Sequence, residues 1–122
     1  MKPSAEHDAR MAAMTFASVY PHYVAKVERK GRTKAELHQV ITWLTGFDDA
    51  KIAELLAAKT TFEDFFDQAN LHPNAALIKG KICGYQIEAI ENPITRNVRY
   101  LDKLVDELAA GRKIEKILRE AS

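Results

Sequence analysis

Lys30-Gly-Arg-Thr-Lys-Ala-Glu-Leu-His-Gln-Val-Ile-Thr-Trp-Leu-Thr-Gly-Phe-Asp-Asp-Ala-Lys-Ile-Ala-Glu-Leu-Leu56 decides the fold of this chain, because it spells two helices with their start and stop signals. Thr33 followed by Glu36 is a capping box, in which hydroxyl and carboxylate each satisfy a backbone N–H left without an acceptor at the helix start. Apolar side chains then recur at Leu37, Val40, Ile41 and Leu44, the spacing of one buried helix face. Gly46 can adopt the left-handed conformation that closes such a helix, and Asp48 can cap the next. Ile52, Leu55 and Leu56 supply the inner side of that second helix.

Upstream, Phe16, Tyr20, Tyr23, Val24 and Val27 repeat at helical spacing. Pro21 lacks the N–H that an interior position needs, so the expectation is a helix that starts there and ends at Gly31. Residues 1–12 are polar and read as a flexible N-terminal tail. Downstream, Thr61 and Asp64 mark the start of a short aromatic helix carrying Phe62, Phe65 and Phe66. Leu71 to Asn74 contains Pro73 and reads as a loop, with Asn74 as a cap for the next element. Over residues 75–90, Ile78, Ile82 and Ala89 suit a helix, whereas Cys83, Tyr85, Ile87 and Ala89 alternate as in a strand. Gly80 and Gly84 would each cost a helix about 1 kcal/mol. A helix is nonetheless expected, because a lone strand has no evident partner. Asn92 and Pro93 open a long helix with the stripe Ile94, Val98, Leu101, Val105 and Leu108, which Gly111 ends. A short basic helix over 112–119 comes last. The expectation is therefore all-α: residues 13–122 as a single domain, a compact bundle of about six short to medium helices.

With 122 residues and a net charge of +1, the chain can bury one core without metals or disulfides. No apolar run approaches the roughly 18 residues of a membrane span. The polar stretch Met1 to Arg10 shows no signal peptide, and the single cysteine, Cys83, fits a reducing compartment, so the cytoplasm is expected. Charge is laid out unevenly. Lys26, Arg29, Lys30, Arg32 and Lys34 face only Glu28 between His22 and Lys34, whereas residues 35–70 hold seven acidic residues against Lys51 and Lys59.

The helix, glycine turn and helix of residues 33–58 have the spacing of a helix-turn-helix DNA reader. The second helix, however, offers Asp48, Asp49 and Glu54 against only Lys51, and acidic groups repel the duplex, which disfavours sequence-specific DNA binding. An anion site is the sharper possibility, formed by Lys26, Lys30, Arg32, Thr33 and Lys34 around Gly31, where the N–H groups opening the Thr33 helix point outward. Tyr20 and Tyr23 could add stacking surfaces for a nucleic acid. No catalytic residue is assigned. Cys83 lacks nearby basic residues and reads as a buried structural cysteine. His7, His22, His38 and His72 lack metal-site spacing, so no metal and no cofactor are expected. Asp102 and Asp106 read as solvated surface charge. Tyr100 and Leu104 widen the apolar band of the last long helix, which could dock a protein partner or a second copy of the chain.

Phe-Ala-Ser-Val-Tyr-Pro (16–21), Lys-Gly-Arg-Thr (30–33), Trp-Leu-Thr-Gly-Phe-Asp (43–48), Ile-Cys-Gly (82–84) and Val-Arg-Tyr-Leu-Asp-Lys-Leu-Val-Asp-Glu-Leu (98–108) together resemble a bacterial family catalogued as domain of unknown function 2200. The resemblance implies a small bacterial cytoplasmic protein and brings no catalytic residues with it. The functional expectation is a non-enzymatic helical interaction module, with binding of an anion or nucleic acid by the segment Lys26 to Lys34 as the alternative.

Overall fold

The computed structural model describes residues 4–119. In chain order they form α1 (Ala5–Ala13), α2 (Phe16–Arg29), α3 (Lys34–Thr45), α4 (Asp49–Ala57), α5 (Phe62–Gln68), a hairpin of β1 (Lys81–Ile82) and β2 (Tyr85–Gln86), α6 (Pro93–Ala109) and α7 (Ile114–Ile117). Single 3-10 turns at Pro73–Leu77 and Ile87–Ala89 flank the hairpin. The fold is a helical bundle.

Helix α6 is its axis, with α1, α2, α3, α5 and α7 all packed against it. The reason lies in its sequence: Val98, Leu101, Leu104, Val105 and Leu108 are buried, and Tyr100 with them. The wide apolar band expected to greet a partner is thus covered by the chain's own helices. Phe16, Phe62 and Phe65 fill the adjoining space, with Phe16 and Phe65 ring centroids 4.6 Å apart. The caps of α3 to α6 agree with the sequence. Thr33 and Glu36 close the capping box, Gly46 takes φ 78°, and Asp48, Thr61 and Asn92 each accept from a first-turn N–H.

Four expectations are corrected. Residues 1–3 lie outside the described residues, but from Ala5 the expected tail is helical, because Ser4 caps α1 and buried Met11 seats it. Helix α2 starts at Phe16 rather than Pro21. Thr15 supplies the cap, and the helix runs through the proline. Residues 75–90 are not a helix. Lys81 pairs with Gln86 and Ile82 with Tyr85, so the strand that lacked a partner finds one four residues along its own chain. Lastly, the 3-10 turn at Pro73 is capped by His72, whose Nδ1 accepts from the Asn74 N–H, while the Asn74 side chain donates to the Arg119 carbonyl.

Helices α2 and α5 begin side by side. Thr15 and Thr61 form an isolated antiparallel bridge, in which the Phe16 N–H donates to the Thr60 carbonyl at 2.9 Å and the Phe62 N–H to the Met14 carbonyl at 2.8 Å.

Candidate functional site

The outward face of α3 presents Lys34, Ala35, His38, Gln39 and Thr42, successive positions that the core-facing stripe leaves over. Asp49, at the start of α4, and Leu118, just past α7, wall this face, with Trp43 also in the lining. They enclose an open groove of about 720 Å³.

One wall is a hydrogen-bonded chain through three helices. Asp49, a carboxylate, can only accept, so His38 donates through Nδ1–H at 2.9 Å. In the neutral imidazole with the proton on Nδ1, Nε2 carries the lone pair that receives the Tyr20 hydroxyl at 2.5 Å. Asp49 is mostly exposed, whereas Tyr20 is buried. Burial, followed by the nearby charges of Asp49 and Glu28, raises the Tyr20 pKa above its ordinary value. An activated phenol needs the opposite shift. The chain therefore orients an imidazole and braces α2, α3 and α4. Lys34 completes this end, its ammonium 5.9 Å from the centroid of the Tyr20 ring.

Trp43 stacks on His72 at a centroid distance of 4.2 Å and an interplanar angle of 19°. Its indole N–H is buried without a hydrogen-bond partner, a cost of about 1–3 kcal/mol.

The anion-site residues do not converge on an open pocket. Arg32 donates twice to Glu36, whose other oxygen accepts from the Thr33 N–H, so a carboxylate of the chain itself occupies the start of α3. Bonding to Arg32, then to the Thr33 backbone, holds the Glu36 carboxyl below its ordinary pKa. Lys26 pairs with Asp106 at 3.0 Å, while Lys30 and Lys34 are exposed. Tyr20 and Tyr23 are both buried and offer no stacking platform.

Asp102 is not loose surface charge either, since it accepts from the Tyr23 hydroxyl at 2.6 Å and from Arg99 at 2.8 Å. Burial and that carboxylate push the Tyr23 pKa well up. Cys83 is exposed, not buried, because it forms the tip of the hairpin. No group of three or more His, Cys, Asp or Glu among the described residues could hold a metal ion. Sequence reasoning missed the union of His38 with Asp49. Its one signal was the Gly46 turn, which folds α4 back so that its first residue meets the middle of α3.

No helix among the described residues is long and apolar enough to cross a membrane. The structure is similar to the crystal structure of uncharacterized protein SP1917, with 40% sequence identity, a TM-score of 0.84, and coverage of 93% of this chain and 96% of that one. No curated protein is significantly similar to the chain. Residues 10–119 match the pattern of domain of unknown function 2200, described as an uncharacterized protein conserved in bacteria, and the chain belongs to that family.

Proposed function

We propose that this protein is a non-enzymatic binding module of the bacterial cytoplasm that receives a peptide segment of a partner protein along the outward face of α3. The observation that carries this reading is the mixed lining of the groove. Lys34, His38, Gln39 and Asp49 offer donors and acceptors beside the apolar surfaces of Ala35, Trp43 and Leu118. Peptide segments are bound in this way, with apolar side chains anchored in grooves and polar groups fixing the register. The volume lies within the range of roughly 300–1,000 Å³ typical of ligand sites. A second copy of the chain is the weaker occupant, because the α6 band lies in the core and, among the described residues, only Met14 and Leu77 are exposed large hydrophobics. The lone exposed thiol suits a reducing compartment.

Panning random peptides against the wild type and against Gln39→Arg, whose longer side chain intrudes on the groove, tests the reading. The expected peptides bind the wild type, shift the emission of Trp43, the only tryptophan of the chain, and lose Gln39→Arg. Peptides that bind both proteins equally, or no enriched peptides at all, would overturn it.

A further inference from the structure

We infer that the end of the bundle where the α2–α3 and α6–α7 turns meet is a second binding surface, which takes a nucleic-acid backbone through its phosphates rather than its bases. It stands apart from the groove reading, with only Lys34 common to both. The juxtaposition rests on one bond across 80 residues of sequence, in which Arg32 Nη1 donates to the Arg112 carbonyl at 2.7 Å. That bond sets the turn at Gly31 (φ 81°) against the turn at Gly111 (φ 91°). Helix α7 packs on both α3 and α6 and brings Lys113 and Lys116 to the same end.

The positive charge there is not cancelled internally. Arg29, Lys30, Lys34, Lys113 and Lys116 are exposed and make no ion pair among the described residues. The carboxylates beside them are largely spent, Glu36 on Arg32, Asp106 on Lys26, and Glu107 on Arg112 and Arg119. Glu28 and Glu115 stay exposed, which leaves cations in excess.

The chemistry of the patch selects among polyanions. A protein interface relies on buried aromatic or apolar anchors, and a membrane surface on inserted ones, but these turns expose no large apolar side chain. Phosphates require only Lys and Arg. Tyr20 and Tyr23 are buried and offer no ring to stack on bases, so contact through the phosphates carries no sequence preference.

Fluorescence anisotropy with a labelled random-sequence RNA and a labelled random DNA duplex tests the surface across a salt series. Both are expected to bind, with a duplex log–log salt slope of about −4 to −5 if all five cations reach phosphates. Lys30→Glu with Lys113→Glu, one change from each turn, should weaken binding about tenfold or more at ~0.1 M salt and flatten the slope by about 2. Lys79→Glu with Lys81→Glu makes the same charge change on the exposed flank of the hairpin and should leave affinity within about twofold once general charge is screened. Circular dichroism confirms that each variant is folded. No binding at low salt, an equal loss from both pairs, or tighter binding to phosphatidylserine vesicles or polyglutamate than to nucleic acid would each overturn the inference. None of these outcomes bears on the peptide groove, which Gln39→Arg reports separately.

Discussion

Thr95 Oγ1 on α6 donates to Asp8 Oδ1 on α1 at 2.7 Å, and this bond between residues 87 apart holds the amino-terminal helix on the bundle. Thr95 is fully buried. Asp8→Ala leaves its hydroxyl without that acceptor, at a cost of about 1–3 kcal/mol. The urea midpoint should fall accordingly, and Asp8→Asn, which keeps an acceptor oxygen, should recover most of the loss. An unchanged midpoint in Asp8→Ala would show that α1 is held by packing alone.

Pro21 lies within α2, where its ring removes the N–H that would bond to the Ala17 carbonyl. Its own side chain is exposed, so the ring itself gains no core contact in return. Pro21→Ala should stabilise the protein by about 1–3 kcal/mol, read as a raised thermal midpoint. A lowered midpoint would mean that the seating of Tyr20 and Tyr23 depends on the local bend.

Arg32 and the Thr33 backbone keep the folded pKa of Glu36 below its ordinary 4.5. A carboxylate with a depressed folded pKa adds stability that is fully present above its unfolded pKa and lost as pH falls through the folded value. The wild type should therefore exceed Glu36→Gln in urea midpoint above about pH 5, and the two should converge on acidification. A gap that stays constant across the acid limb would assign the effect to shape rather than charge.

Cys83 (φ 52°) and Gly84 (φ 81°) are the two central residues of the hairpin turn, the pair of positive φ values that a type I′ turn demands. Asn accepts that conformation with less strain than Cys. Cys83→Asn should raise stability by about 0.5–1 kcal/mol. The wild-type thiol, being exposed, should react with Ellman's reagent in the native state as readily as in urea. Slow native-state labelling would contradict its placement at the tip.

The legible parts of the fold were those governed by local chemistry. Thr33 with Glu36, Gly46, Asp48, Thr61 and Asn92 each satisfy or end a helix within a few residues, so their roles survive without tertiary knowledge. Pro21 misled because the cost of an interior proline is local, while the burial of Phe16 and Tyr20 that offsets it is not. The hairpin was hidden because Ile82 and Tyr85 resemble a strand only once each is seen as the partner of the other. In the candidate site, the charges of residues 26–34 are visible in the sequence, but the pairing of Arg32 with Glu36 and of Lys26 with Asp106 depends on how α2, α3 and α6 are placed. The contribution of Arg112 and Lys113 depends on a contact spanning most of the chain.

The leading amides of a helix ordinarily exchange with solvent early, since they lack intrahelical acceptors. Here the first amide of α2 and the first amide of α5 each donate to the strand-like residues preceding the other helix, and both phenyl rings sit in the core. Deuterium should therefore reach Phe16 and Phe62 only when the molecule opens globally. A frayed boundary is thus converted into a clasp between two distant parts of the chain.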